Sequence, residues 1–391
     1  MKKQLIAIAI GSALLSPSAY AENSITEALE ASKPVLDLRL RYESNDTEGG
    51  PERGEALTLK SVIGIKTGEF KGFSAYADMT NVSALDSDYR SSGASTIETD
   101  IIPDPEGDEL NQAYLQYADD HQQIRFGRQR IIYDNARFIG NVGWRQNEQT
   151  FDAFSYKNTA LDNVTVNLAY LVQTYGIFFN SADTNSLLAN VAIDSVGPGK
   201  LSLYAYDLED ANDNENTTFG FIYAGKANVE ASKLLYRLEL ASQSLKPSAG
   251  SDADTDYLSL EIGAVITGVT AKLGYELLGS DSGNAGFATP LATGHKFNGW
   301  ADKFLAPRDN GLEDTYFSVS GKVSGVKLAA IYHVFSEDEG GADLGSEINL
   351  LAVKKFTKNY SAGLKLASFS ADSSSTLTDT DKVWLWGQAK F

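Results

Sequence analysis

Apolar and polar residues alternate along about 18 short segments of this 391-residue chain. The segment Val35–Glu43, for example, reads VLDLRLRYE, so its leucines share one face of an extended strand and its charged residues share the other. The 34 glycines and 9 prolines are typical of sheets joined by many turns. The pattern predicts an all-β chain. It does not by itself separate a soluble sandwich from a membrane barrel, because strands in both have one apolar face.

The lengths of the connections between these segments favour a membrane barrel. Short connections, such as DDH at 119–121 and TG at 267–268, alternate along the chain with longer ones. This alternation places the long loops at one end of the sheet, as in outer-membrane barrels with short periplasmic turns and long extracellular loops. We therefore predict a transmembrane antiparallel β-barrel of about 18 strands. The long loops are expected near 44–56, 83–109, 130–149, 174–186, 209–215, 243–254, 280–312, 336–345 and 371–381.

The first residues are typical of a secretory signal peptide. Two lysines precede an apolar run at 5–15, and an Ala-Tyr-Ala sequence that ends at Ala21 supplies the small residues that signal peptidase recognises. The run is too short for a membrane-spanning helix, which needs roughly 20 residues. We predict a signal peptide at 1–21 and a single barrel domain at 22–391 in the outer membrane of a Gram-negative cell. Since cysteine is absent, this exported chain holds its fold without disulfides.

The end of the chain is also typical of an outer-membrane barrel. The segment Val383–Phe391 alternates in polarity and ends in an aromatic residue. An amphipathic last strand of this kind resembles the signal that the barrel assembly machinery recognises, so we expect that machinery to be a partner through the Phe391 strand. Outer-membrane lipid and lipopolysaccharide are the other expected contacts of such a barrel.

Arginine is concentrated in one part of an acidic chain. The sequence has 52 Asp and Glu against 33 Lys and Arg, and only eleven arginines in total. Five of them fall within 21 residues that contain a single acid, Asp134. These five are Arg125, Arg128, Arg130, Arg137 and Arg145. Because the arginine side chain stays charged and matches the geometry of carboxylates, the cluster predicts contact with anions.

The predicted loop 130–149 is unusually apolar for a loop exposed to water. It contains Ile131, Phe138 and Ile139 beside three of the arginines. We infer that the loop folds into the barrel and constricts it, with the arginines toward the water-filled lumen. Arg39 and Arg41, on the polar face of the first strand, are expected to join this lining. The alternative is that the arginines pair with lumen acids, among them Asp37, Asp134 and Asp152, and stiffen the barrel.

Tryptophans and histidines supply the remaining candidates for a site. Trp144 and Trp300 lie in aromatic loop sequences, where they could stack on a sugar ring or pack inside the barrel mouth. The three histidines, His121, His295 and His333, lack the spacing of a metal site. We therefore predict no bound metal and no cofactor.

Catalysis and nucleic-acid binding are not expected. A barrel hydrolase needs a nucleophile or an activated water next to a base, and the sequence offers only a pairing of His333 with Glu337 or Asp338. We predict no catalytic residue. A net charge of -19 repels the phosphate backbone of nucleic acids, so these are not expected partners.

The arginine-rich stretch also carries a family resemblance. The sequence GRQRIIYDNARFIGNVGWRQNEQTFDAF, at 127–154, resembles the signature of the alginate-export family of outer-membrane porins. GHKFNGWADKF at 294–304 and LNQAYLQY at 110–117 resemble two further motifs of that family. The resemblance implies an 18-stranded, monomeric barrel with a basic pore for anionic uronate polymers or related solutes. By position it assigns Arg128, Arg137 and Arg145 to the pore, with Asp152 beside them.

Two departures from the family pattern bear on the substrate. Only Arg237 and Arg308 follow Arg145, whereas an exporter of this family draws basic pore residues from later strands as well. The loop 83–109 carries eight acids and one arginine, which would repel a polyanion. We predict a passive channel for anionic solutes, with uronate oligosaccharides or polysaccharides such as alginate as candidates. The alternatives are a porin for other solutes whose arginines are structural, and a structural or adhesin barrel without transport.

Overall fold

The computed structural model describes residues 24–86, 88–93, 97–230 and 232–391, so the predicted signal peptide lies outside the described residues. The described chain forms a short helix and 18 antiparallel strands in one sheet. The elements are α1 (Ile25–Glu30), β1 (Lys33–Thr47), β2 (Gly54–Lys66), β3 (Phe73–Ala84), β4 (Gly107–Ala118), β5 (Gln122–Gln129), β6 (Thr150–Asn158), β7 (Val164–Tyr175), β8 (Ser181–Val196), β9 (Gly199–Glu209), β10 (Glu215–Val229), β11 (Ser232–Lys246), β12 (Ala253–Ile266), β13 (Val269–Leu278), β14 (Leu312–Val323), β15 (Val326–Ser336), β16 (Asp343–Lys355), β17 (Tyr360–Ala371) and β18 (Thr380–Lys390), with a single 3-10 turn at Gly294–Lys296.

The sheet closes on itself. Each strand pairs with the next along the chain, and β1 pairs with β18 so that Tyr42 lies opposite Leu385. Closure leaves no strand edge whose backbone groups would lie unpaired in lipid, where each would cost several kcal/mol. The structure therefore confirms the predicted antiparallel β-barrel and its strand number.

The distribution of side chains is the reverse of that in a soluble protein. Large apolar residues stay exposed at outward positions of the strands, among them Leu115 and Phe126, which are 65% and 68% exposed. Charged and polar residues at inward positions are buried, including Arg41, Glu239 and Asn349. An apolar outer wall around a polar interior is the arrangement of a barrel that faces lipid. Among the described residues, no helix has the length and apolar character needed to cross a membrane.

Three of the nine predicted long loops are long, and the other six are shorter than expected. The three span 85–106, 130–149 and 279–311, whereas the remaining six connections have five to eight residues each. The cause is visible in β8, which begins at Ser181, inside the loop expected at 174–186. Its first residues are polar and lack the apolar alternation of a lipid-facing wall, although they still form strand hydrogen bonds with β7. Hereafter the two ends of the barrel are called the long-loop end and the short-turn end.

The short helix α1 was not predicted. Ser24 accepts a hydrogen bond from the backbone N–H of Glu27 at 3.1 Å, and the Glu27 carboxylate accepts one from the N–H of Ser24 at 3.0 Å. This reciprocal capping box satisfies two free N–H groups at the start of the helix. The carbonyl of Ala28 then accepts a hydrogen bond from Gly68, which holds the helix against the first short turn.

Candidate pore constriction

The loop 130–149, called the arginine loop below, lies inside the barrel. At one side the Arg39 guanidinium on β1 donates to the side chain of Gln146 at 2.8 Å. At the other side the Asn190 amide on β8 donates to Asp134 at 2.7 Å. Because β1 and β8 lie on well-separated parts of the barrel wall, the loop must cross the lumen between them. The expected fold of this loop into the barrel is what the structure shows.

A second loop enters the lumen and packs against the first. The N–H of Gly140 donates to the carbonyl of Leu291 at 2.8 Å, and the N–H of Thr293 donates to Ala136 at 3.0 Å. A side chain at Gly140 would collide with the Thr293 hydroxyl, since an added Cβ would lie 2.3 Å from it. The loop 279–311 and the arginine loop therefore form one body, which we call the plug.

Arg145 connects the plug to the barrel wall. Its guanidinium lies 2.9 Å from a carboxylate oxygen of Glu43 on β1 and 2.8 Å from one of Asp302 in the second loop. The side chain is only 3% exposed. Burial lowers the pKa of Arg145, but the attraction of Glu43 and Asp302 outweighs burial and raises the pKa above its ordinary value. Arg145 is thus a permanently charged anchor whose fork is already occupied by two carboxylates.

Arg137 plays the same part on the opposite wall. Its Nε lies 2.6 Å from Glu276 on β13, and one Nη donates to the Asn298 side chain at 2.9 Å. Burial lowers the pKa of Arg137, and the nearby Glu276 carboxylate more than compensates, so the pKa is raised. Asn298 in turn donates to Glu276 at 2.6 Å, so the carboxylate is satisfied from both loops.

Arg39 and Arg41 project inward from β1, as expected, and hold the arginine loop by its backbone. Arg39 donates to the carbonyls of Gly143 and Arg145, and Arg41 donates to the carbonyl of Trp144 at 2.6 Å. Arg41 is also paired with Glu43 at 3.2 Å and with Asp104. Both arginines are buried. Arg39 therefore directs its donors at the plug, and Arg41 divides its donors between the plug and these two acids.

The other three arginines remain accessible. Arg128 pairs with Asp152 at 3.1 Å and stacks on the ring of Tyr175, 3.3 Å from its centroid. Arg130 pairs with Glu148, and its side chain is 39% exposed. Arg125 donates to the Gln116 side chain at 2.8 Å and has no ion pair within the described residues.

Both candidate tryptophans lie against a buried lysine. The Nζ of Lys365 on β17 is 4.2 Å from the ring centroid of Trp144 and 3.9 Å from that of Trp300. His295 stacks on Trp144 at 5.1 Å and accepts a hydrogen bond from Lys365 through Nε2 at 2.6 Å. The two rings therefore contact a protein cation. Sugar stacking by Trp144 or Trp300 stays a prediction, and no sequence pattern had singled out Lys365.

His295 owes its state to burial. Its Nδ1 lies 2.6 Å from Asp302, which also pairs with Lys382 at 3.2 Å. Burial lowers the pKa of His295 to about 3, because it disfavours the charged ring more than Asp302 favours it. The neutral ring accepts a hydrogen bond from Lys365 through Nε2. Its single N–H is therefore at Nδ1 and donates to Asp302.

A basic chamber lies on the short-turn side of the plug. Two cavities of about 470 and 460 Å³ border the arginine loop there, one at Asp134 and the other at Asn135. Eight basic and four acidic side chains line them together: Arg125, Arg130, Lys157, Lys200, Arg237, Lys272, Lys296 and Lys327, against Asp134, Glu261, Glu276 and Asp314. The chamber therefore carries a surplus of positive charge inside a chain of net charge -19.

The histidines were considered as metal ligands and as part of a His–acid pair. Among the described residues, no group of three or more His, Cys, Asp or Glu side chains has the geometry of a metal site. His333 pairs with Asp314 at 2.9 Å, so the pairing with Glu337 or Asp338 considered from the sequence was wrong. Glu337 instead holds Arg308 at 2.7 Å. Those two acids lie in the loop that follows β15, away from the inward face that carries His333.

Comparisons with known proteins agree with this architecture. A family model described as alginate export matches residues 35–281. No curated protein matches the chain. Crystal structures of outer-membrane porins are similar in fold: OccAB2 of Acinetobacter baumannii at 15% identity and a TM-score of 0.70, covering 93% of this chain and 98% of that one, and OccK1 (OpdK) of Pseudomonas aeruginosa at 14% identity and a TM-score of 0.73, covering 93% and 99%.

Proposed function

Because the chain belongs to the alginate export family and is an outer-membrane porin, we propose that it conducts small anionic solutes by passive diffusion. The observation that carries the proposal is the basic chamber on the short-turn side of the plug. A cavity lined by one sign of charge concentrates ions of the other sign, and its low-dielectric walls strengthen the effect. The chamber would therefore attract anions although the protein as a whole is acidic.

Two lysines of the chamber are especially suited to a mobile anion. The side chains of Lys157 and Lys200 form no hydrogen bond or ion pair within the described residues. The nearest acid of that cavity, Asp134, already accepts hydrogen bonds from Asn190 at 2.7 Å and Ser202 at 3.1 Å. Together with Arg125, these lysines give the cavity three cations without an ion pair, against the single carboxylate of Asp134.

The other side chains of this cavity suit a hydroxylated solute. Amides and hydroxyls stand between the cations, namely Gln123, Gln129, Ser155, Thr165, Asn167 and Asn190. A uronate carries both a carboxylate and several hydroxyls, so short uronates are the solutes that we propose first. A long polymer such as alginate would have to displace the plug, in which Arg145, Gln146 and Glu148 are buried.

The candidate arginines are proposed to divide into two roles. Arg125 and Arg130 face the chamber and contact the solute. Arg128 and Asp152 lie on the barrel wall, above the chamber in the direction of the long-loop end. Arg39, Arg41, Arg137 and Arg145 fix the plug and so set the width of the pore. The contacts with lipopolysaccharide, recognition by the assembly machinery through the Phe391 strand and a monomeric state remain predictions.

The proposal is tested by removing the unpaired cations. The variant R125Q/K157Q/K200Q is compared with K71Q/K355Q/K358Q, which removes exposed lysines that do not line either cavity. In planar bilayers with a salt gradient, we expect the first variant to lower the anion-to-cation permeability ratio by about threefold, because the focusing charge is gone. The control should match the wild type. Equal ratios in all three proteins would contradict the proposal, and a folded but silent wild type would favour the structural or adhesin barrel.

A further inference from the structure

A third cavity lies on the long-loop side of the plug, and its lining differs in chemistry from that of the basic chamber. It encloses about 420 Å³ between the second loop, the ends of β13 and β14, and the connection 176–180. Its walls are mainly apolar: Pro103, Val142, Ile177, Phe178, Leu278, Phe287, Pro290, Phe304, Leu305, Pro307 and Leu312. A loop region that only met water would have no reason to assemble such walls. Cavities of this size and lining are typical of sites for small organic ligands.

The apolar walls are held by packing behind them. Phe287 is fully buried and contacts Phe138 of the arginine loop edge-on, with 5.7 Å between ring centroids. Phe304 packs on Phe335 of β15 at 4.5 Å. Since both rings are fixed by the plug and the barrel wall, the cavity exists without a ligand and needs little rearrangement to bind one.

The polar side chains that line this cavity include more hydrogen-bond donors than acceptors. Asp302 is its only carboxylate and already receives Arg145, His295 and Lys382. Arg308 is the donor with spare capacity. One Nη of Arg308 donates to Glu337 at 2.7 Å, and the side chain, which is 25% exposed, forms no other hydrogen bond among the described residues. Its second Nη is therefore available to donate to a ligand acceptor, and a hydrogen bond between charged groups is stronger than one between neutral groups.

We propose that this cavity binds an organic anion with an apolar body, such as an alicyclic or aromatic carboxylate, whose carboxylate pairs with Arg308. The ring would lie against the phenylalanines and prolines. A sugar acid of the same size is disfavoured, because its hydroxyl groups would lose water against these walls without gaining partners. The inference goes beyond the proposed function, since it adds a ligand site on the other side of the plug whose preference differs from that of the chamber.

The test compares ligands that differ in one property. Isothermal titration of the full-length protein in detergent would use cyclohexanecarboxylate, glucuronate and cyclohexanemethanol. The first two share a six-membered ring and one carboxylate and differ in hydroxylation, and the third lacks the charge. We expect cyclohexanecarboxylate to bind at least about tenfold more tightly than either of the others, because it alone satisfies both the walls and Arg308.

Two variants locate the binding. Arg308→Gln should weaken cyclohexanecarboxylate by about tenfold, as expected for loss of a charged hydrogen bond, and leave the alcohol unchanged. Arg53→Gln removes an arginine from another extracellular connection, 58% exposed and paired with Asp46, and should change neither. Ala306→Trp, at an exposed position on the rim, should block both ligands by filling the entrance.

The outcomes separate this inference from the proposed function. Glucuronate binding as tightly as cyclohexanecarboxylate, or equal effects of Arg308→Gln and Arg53→Gln, would overturn the apolar-anion site, whatever the channel conducts. Tight, Arg308-dependent binding by a protein that proves cation-selective in bilayers would uphold the site and overturn the proposed function instead.

Discussion

Arg145 and Arg125 belong to the same arginine-rich stretch, but the structure gives them different surroundings. Arg145 is buried between Glu43 and Asp302, which fill both sides of its guanidinium. Arg125 lies on the barrel wall at the basic chamber and has no acidic partner among the described residues. The difference teaches that an arginine cluster inside a barrel does not define a selectivity filter. Here two of the five arginines, Arg137 and Arg145, anchor the plug, while the surplus positive charge comes from cations on many strands.

Removing an anchoring arginine should have the largest effect. Arg145→Met leaves Glu43 and Asp302 buried without their shared partner, and we expect a loss of about 3 kcal/mol in the free energy of unfolding. Urea unfolding of the protein in lipid vesicles measures it. Arg145→Lys keeps the charge but cannot reach two carboxylates as a fork, so its loss should be smaller. If Arg145→Met is as stable as the wild type, Arg145 is not an anchor.

Acid should weaken the plug through His295. Its pKa is about 3 when folded and near 6.5 when unfolded, so below pH 6.5 the unfolded chain binds a proton that the folded protein does not. The free energy of unfolding therefore falls as the pH falls, by about 2 kcal/mol at pH 5. His295→Gln should lack this part of the dependence between pH 6.5 and 4. The other histidines are common to both proteins. Burial raises the pKa of Asp302, but His295, Lys382 and Arg145 lower it well below its usual value.

If the free energy of unfolding changes with pH in the same way in the wild type and in His295→Gln, His295 is exposed or already charged. That result would contradict the description of His295 as a buried, neutral ring that accepts a hydrogen bond from Lys365. Unfolding monitored by tryptophan fluorescence is suitable, since Trp144 contacts His295 directly.

The smallest effect is expected at Arg128, which is neither fully buried nor unpaired. Arg128→Lys keeps the charge beside Asp152 and loses the stacking on Tyr175, so we expect a loss below about 1 kcal/mol and an unchanged reversal potential. Arg125→Lys is the matched change in the chamber and should also preserve selectivity. A large shift of the reversal potential in Arg128→Lys would move the selective site from the chamber to the wall beside Tyr175.

The strands were predictable because alternation is a local signal. The short connection 119–121 and the loop 130–149 were both expected, and β5 fills the interval between them. The apolar residues Ile131 and Phe138 were sufficient to predict that this loop enters the barrel. The capping box of Ser24 and Glu27 is also written in the sequence, and its serine-to-glutamate spacing could have predicted α1.

The partners inside the lumen were not predictable. Glu276 lies 139 residues from Arg137 along the chain, and nothing in β13 distinguishes this glutamate from other inward polar residues. The same holds for Lys365, whose contacts with two tryptophans arise only when both loops fold inward. Every strand places polar residues toward the lumen, so the pattern tells which residues face inward and not which of them meet.

The most direct measurement of the central claim is the reversal potential of the wild-type channel in a planar bilayer with a potassium chloride gradient. If the basic chamber governs permeation, the channel will be anion-selective despite the net charge of -19. A cation-selective channel would contradict the account, because the acidic character of the whole chain would then outweigh the positive charge of the chamber.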